Sequence, residues 1–133
     1  MTKRDRIILQ KIIEEADILM QVLCSIDEEV FLASEEKKRT TCMTLINIGE
    51  LVKNLNMEIR TRYASIPWKR IAGFRDVASH GYFLLRLSEV WVYASQEVPL
   101  LRVQIKEILA NEKEGKITPE IVIRKLEIIK KKI

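Results

Sequence analysis

Histidine, cysteine, glycine and proline are all scarce in this chain, and each shortage removes a class of protein. One histidine and two cysteines, Cys24 and Cys42, stand among 133 residues. A structural zinc site needs about four such ligands at close spacing, so none is expected, and no cofactor is called for. Two thiols this far apart predict reduced core cysteines in a cytoplasmic protein. Four glycines and three prolines supply few turn formers, which favours long helices and short connections over many short strands. There is no Gly-rich phosphate loop, no Gly-x-Ser-x-Gly elbow and no cysteine beside the histidine. No apolar run is long enough for a signal-peptide core or a membrane span, so no membrane partner is expected.

What is present reads as one domain over residues 1–133 with a real core: 47% of residues are hydrophobic and 32% charged. A net charge of +4 permits a nucleic-acid partner without requiring one. Apolar residues recur at helical spacing in successive stripes, and no strand-period run competes. Ile8, Ile12, Ala16, Leu19 and Leu23 mark a first helix over residues 3–24, and a short helical turn is expected from Glu28 to Ala33. Ser34 should cap a second helix running to about Asn56, with Thr41, Leu45, Ile48, Val52 and Leu55 inward. Gly49 in its middle costs about 1 kcal/mol against alanine, which a closely approaching backbone would explain.

Pro67 opens a third helix over 67–80 with Ile71, Phe74 and Ala78 inward, and Gly81 reads as its stop. A fourth, over 88–111, carries the seam Leu87, Trp91, Ala94, Val98, Leu101, Ile105 and Ile108, with Pro99 kinking it. Thr118-Pro119-Glu120 starts an extra C-terminal helix over 118–133. The fold class is all-α: an up-and-down bundle of four to five helices with enough apolar surface to pack on another chain.

Chemistry concentrates at the end of the third helix, in Arg75-Asp76-Val77-Ala78-Ser79-His80-Gly81-Tyr82. At about 100° per residue, Asp76 and His80 share a face, so the carboxylate can orient the ring. Arg75 and His80 stand roughly 140° apart, close enough for long side chains to flank one groove. A guanidinium suits a phosphate and an imidazole suits proton transfer. Together, without a metal, they suit RNA transesterification by the 2′-hydroxyl, giving a 2′,3′-cyclic phosphate and a 5′-hydroxyl. One histidine serves poorly as both base and acid, and a symmetric dimer would supply the second. Plainer roles fit the same residues: His80 as a helix-end hydrogen-bonding group, Arg75 and Asp76 as a solvated ion pair, Tyr82 as a core aromatic with a wet hydroxyl.

Beyond spacing, the segment from Ile66 to Leu100 resembles HepT-like proteins of the HEPN superfamily. The resemblance is carried by Pro67-Trp68-Lys69-Arg70-Ile71-Ala72-Gly73-Phe74-Arg75-Asp76, then His80-x-Tyr82-Phe83, Val90-Trp91 and Val98-Pro99-Leu100. Ile48-Gly49-Glu50 is similar to the family's helix-two signature, and the likeness spans roughly residues 5–110. It implies a helical homodimer, or a higher even oligomer, with a composite site at the subunit interface. It implies a metal-independent endoribonuclease with an RNA substrate, acting as the toxin of a toxin–antitoxin pair. Arg75 would bind the phosphate, His80 would move protons, Asp76 would give polar support, and Ser79 and Gly81 would support the site. The implied partner is a nucleotidyltransferase antitoxin that adenylylates Tyr82. Gly81 departs from the acidic or larger residue usual there, and Leu84-Leu85-Arg86 replaces a Gly-x-Asp turn. The alternative is a non-catalytic HEPN subunit that only binds its nucleotidyltransferase.

Overall fold

The computed structural model describes residues 1–83, 86–112 and 126–131, and for residues 81–83 the backbone alone. Every regular element among them is helical. Helix α1 (Lys3–Val22) starts where Thr2 accepts a hydrogen bond from the Asp5 amide at 3.0 Å, satisfying one orphan donor of the first turn. Helix α2 (Glu28–Ala33) is capped in the same way by Asp27, and α3 (Glu35–Lys53) by Ser34, as anticipated. Helices α4 (Met57–Arg62) and α5 (Trp68–Ala72) are short. Helix α6 (Phe74–Phe83) precedes α7 (Leu87–Val92), which passes through a π-helical turn (Tyr93–Glu97) into α8 (Val98–Asn111).

Cross-links give the helix directions. Asn47 reaches Glu15 while Asn56 reaches Asp5, so α1 and α3 run antiparallel. Arg102 meets Asp17 and Arg6 meets the Glu112 carbonyl, so α8 runs antiparallel to α1. Helix α6 lies against the other side of α3. The core between them is mostly aliphatic, with Phe31, Trp68 and Phe74 added, and the expected stripe from Thr41 to Leu55 is buried at every position. Leu9, which the first-helix stripe omitted, is fully buried as well, whereas Leu23 is only partly so.

Four boundaries differ from the sequence reading, each for a local reason. Helix α3 ends at Lys53, and α4, which the pattern did not suggest, is anchored by fully buried Ile59. Buried Asp5 drives that break: its carboxylate accepts from the Asn56 amide at 3.1 Å and from Asn56 Nδ2 at 3.0 Å, so the chain leaves the helix to satisfy it. The third helix is divided at Gly73 into α5 and α6. Gly81 does not stop α6, which continues to Phe83 and takes Tyr82 into its last turn rather than past its end. A glycine only weakens a helix interior by about 1 kcal/mol, and α6 is anchored ahead of it by Phe74 and Ala78, buried against α3. The distortion expected from Pro99 takes the form of the π turn ahead of it, because a proline offers no N–H to the carbonyl of Ser95. That turn shifts the seam, so Val90 is fully buried while Trp91 is half-buried with its ring 5.3 Å from that of Phe31. The Thr118-Pro119-Glu120 helix start lies outside the described residues; residues 126–131 are helical.

The close approach inferred at Gly49 is present. A Cβ there would stand 2.9 Å from both the Ala72 carbonyl oxygen and the Arg75 amide nitrogen. Both are backbone atoms, so Gly49→Ala is expected to push α3 off α5 and α6 at a cost of about 1–3 kcal/mol. Thermal unfolding followed by circular dichroism should show the melting temperature falling by several degrees; an unchanged value would mean the helices are less closely packed than described.

Glu112, just past α8, fastens that end of the bundle. Its carboxylate accepts from Arg62 and from the Tyr63 hydroxyl at 3.0 Å, and stands 3.9 Å from the N-terminal ammonium. The Arg62 hydrogen bond, chiefly, holds the Glu112 carboxyl below its ordinary value. A lowered folded value means the stabilisation is complete above the ordinary carboxylate pKa and is lost as pH falls through the folded one. Urea midpoints are therefore expected to drop on acidification more steeply in the wild type than in Glu112→Gln. Parallel curves would contradict this role. Burial pushes the Cys42 thiol up to about 11, so it stays protonated and unreactive near neutral pH, whereas Cys24 is exposed.

Candidate active site

Helix α6 begins with a buried anchor, and the polar residues follow from it. Phe74 is fully buried with its ring 4.9 Å from Tyr93, and Ala78, one turn on, is also fully buried. With those two facing α3, helical geometry turns Arg75, Asp76 and His80 outward, and all three are exposed. Ser79 is half-buried, and Gly81 and Tyr82 continue the helical backbone. The Tyr82 side chain lies outside the described residues, as do Leu84 and Leu85.

The structure joins Arg75 to a residue for which the sequence suggested no role. Glu50 of α3 accepts from Arg75 Nη1 at 2.5 Å and also lies 3.9 Å from Lys53 Nζ. The Arg75 and Glu50 side chains keep 47% and 44% of their surface open, so one carboxylate oxygen steers the guanidinium without enclosing it. The other N–H donors of the fork can still meet an anion from solvent. Gly49 makes the pairing possible, because only a residue without a Cβ lets the α3 and α6 backbones approach at the turn carrying Glu50. The sequence signals for this contact were the unexplained glycine in the middle of an otherwise good helix and the resemblance carried by Ile48-Gly49-Glu50, neither of which named a partner for Glu50.

Asp76 and His80 make no hydrogen bond or ion pair with each other, although they are one turn apart on one helix. An exposed i,i+4 pair is worth only about 0.2–0.5 kcal/mol, too little to hold both side chains against water. Asp76 instead sits in the first turn of α6, where the helix dipole favours a carboxylate. Among the described residues, no three His, Cys, Asp or Glu side chains converge closely enough to hold a metal ion. None of the described helices is long and apolar enough to cross a membrane.

A second polar cluster stands beside the first. Arg70 on α5 donates from Nε to one Glu97 oxygen at 2.5 Å and from Nη2 to the other at 3.0 Å, with its guanidinium carbon 5.0 Å from the Tyr93 ring centroid. The Glu97 hydrogen bonds, first, and its charge hold the Arg70 guanidinium above its ordinary value. This clamp fixes α5 against the π turn and thereby the angle at which α6 departs. Chemically, the exposed surface of α6 offers a steered guanidinium for a phosphate and an imidazole for proton movement, roughly 140° apart around the helix.

The family described as ribonuclease HepT-like matches residues 12–108. A provisionally named RNase of Caldanaerobacter subterraneus subsp. tengcongensis is 38% identical over 111 residues, covering 84% of this chain and 99% of the relative. A provisionally named RNase of Methanocaldococcus jannaschii is 33% identical over 117 residues, 87% of this chain and 96% of the relative. A probable ribonuclease HepT of Thermococcus cleftensis is 25% identical over 100 residues, 75% of this chain and 91% of the relative. No solved structure gives a significant match.

Proposed function

This chain belongs to the HepT-like ribonuclease family of the HEPN superfamily, and we propose that it is a metal-independent endoribonuclease, the toxin of a toxin–antitoxin pair. The observation that carries the reading is the exposed Arg75, steered by Glu50, on the same short helix as the exposed and only histidine of the chain.

Arg75 receives the scissile phosphate and neutralises the charge that builds on its oxygens. His80, as neutral imidazole, takes the proton of the RNA 2′-hydroxyl, whose oxygen then bonds to phosphorus. The bond from phosphorus to the 5′-oxygen breaks, and that oxygen leaves with a proton. The products are a 2′,3′-cyclic phosphate and a 5′-hydroxyl. A second His80, from a symmetry-related copy, supplies the leaving-group proton, which is why the working unit is taken as a homodimer. Asp76 gives polar support on the same exposed side of the helix.

Tyr82 is the point of control. Because α6 runs through Gly81, helical positions 75 and 82 fall within about 20° of one another, two turns apart. An AMP group joined to Tyr82 by a nucleotidyltransferase antitoxin would bring a phosphodiester to the Arg75 side of the helix and occupy the place of the substrate.

The test is cleavage of an RNA and of the same RNA with one 2′-deoxynucleotide at the cut position, before and after incubation with the antitoxin and ATP. The RNA is expected to be cut and the substituted strand spared at that position, with activity lost as a mass increment of one AMP appears on Tyr82. Equal cleavage of both strands would rule out attack by the 2′-hydroxyl. An adduct on another residue would remove Tyr82 from the control step.

A further inference from the structure

A sizeable groove lies not over Arg75 and His80 but next to the segment that carries them. It has a volume of about 940 Å³ and runs between α4 and α5, with Met57, Arg60, Trp68, Lys69, Arg70 and Ala72 along it. Ala72 joins it to the candidate active site: its carbonyl and the Arg75 amide are the two backbone atoms that crowd Gly49. The last residue along the groove thus stands three positions before Arg75, the residue assigned to the scissile phosphate.

Its chemistry is one-sided. Arg60, Lys69 and Arg70 are its charged members, and among the described residues no carboxylate lines it. Arg70 is committed to Glu97. Arg60 uses one Nη2 hydrogen bond, at 2.7 Å, on the Val52 carbonyl, while its buried Nε has no partner among the described residues. Lys69 is exposed, and no ion pair involves it among the described residues. Between the cations the surface is apolar. Met57 keeps 67% of its area open, Pro67 is exposed, and Trp68 forms the floor with its Nε1–H already given to the Tyr63 carbonyl at 3.1 Å.

We propose that this groove is the track for the single-stranded RNA flanking the cleaved bond. Lys69 and Arg60 take successive backbone phosphates, and bases lie on the Met57 thioether and the Pro67 ring. Cations spaced along an apolar floor match the alternation of a strand that carries one charge per nucleotide and a flat face between charges. A polarisable thioether accepts any aromatic base, so the track selects single strands rather than a sequence. The assignment of RNA as occupant rests on the ribonuclease reading.

The test measures binding of a 2′-O-methyl RNA of roughly 12 nucleotides, which cannot be cut by its own 2′-hydroxyl, and cleavage of ordinary RNA of that length beside a dinucleotide. Lys69→Glu and Met57→Ala alter exposed positions and should fold as the wild type does. Lys69→Glu is expected to weaken binding about tenfold and to flatten the dependence of log Kd on log salt by about 0.7 for each phosphate no longer neutralised. Met57→Ala should weaken binding without changing that slope. Dinucleotide cleavage should be unchanged in both. Binding and cleavage of the longer RNA at wild-type levels in both variants would overturn the track while leaving the ribonuclease reading intact. Equal loss of affinity for poly-glutamate in Lys69→Glu would also overturn it, since the groove would then be a docking surface for any acidic chain. If the wild type cuts no RNA yet Lys69→Glu still loses the 2′-O-methyl strand, the track stands and the ribonuclease reading alone fails.

Discussion

Arg75→Ala is expected to lower RNA cleavage about a hundred- to a thousandfold, the loss seen when one donor to a developing oxyanion is removed, while the protein stays folded. The stability side follows from the ion pair it breaks. Arg75 and Glu50 are both about half open, and a pair so exposed contributes about 0–1 kcal/mol after screening by water and salt. Glu50 left alone remains solvated, so no buried charge is stranded. The loss should appear in kcat as well as kcat/KM, because the charge it meets is greatest in the transition state. Single-turnover cleavage together with an unfolding curve of the same preparation checks both halves. Activity within a few-fold of wild type would remove Arg75 from the chemistry.

The preceding residue predicts the reverse pattern. Phe74→Ala is expected to cost about 3–5 kcal/mol of stability, the usual range for truncating a buried phenylalanine, which is a large part of the roughly 5–15 kcal/mol a domain has. Phe74 has no exposed surface and packs its ring 4.9 Å from Tyr93, so its removal opens a cavity between α6 and the π turn and takes away the anchor that turns Arg75 outward. Activity should fall as well, and should recover in part at low temperature, where more of the chain is folded; Arg75→Ala should show no such recovery. Denaturant unfolding measures the cost, and a loss below about 1 kcal/mol would mean that the site collapses to fill the void.

These adjacent substitutions also mark how far the sequence could be read. Burial was legible wherever a stripe ran without interruption: Ile71, Phe74 and Ala78 face inward as their spacing required, and so does the row from Thr41 to Leu55. The cap at Ser34 was legible because a hydroxyl before two carboxylates has one common use. Breaks were not legible where a tertiary contact set them. The end of α3 depends on Asp5, fifty-one residues away, claiming Asn56. The passage of α6 through Gly81 depends on what α3 presents to Phe74 and Ala78 rather than on the glycine itself. In the site, Arg75, Asp76, Ser79 and His80 were identifiable because they crowd one segment with the single imidazole. Glu50 stood out only as part of Ile48-Gly49-Glu50; its pairing with Arg75 was hidden, because it exists only when Gly49 lets two helices meet. The basic groove was hidden as well: its cations are close in sequence, but the pattern did not suggest the short helix α4 that sets Arg60 beside α5.

The chemistry assigned to Arg75 and His80 is tested most directly by the ends of the RNA fragments made by the purified wild-type protein in excess EDTA. Attack by the 2′-hydroxyl leaves a 2′,3′-cyclic phosphate on one fragment and a 5′-hydroxyl on the other, which mass spectrometry distinguishes from a 3′-hydroxyl and a 5′-phosphate. Cyclic phosphate ends formed in the chelator, and absent with His80→Ala, are the expected result. Fragments ending in 5′-phosphate, or cleavage that stops when the chelator is added, would contradict it.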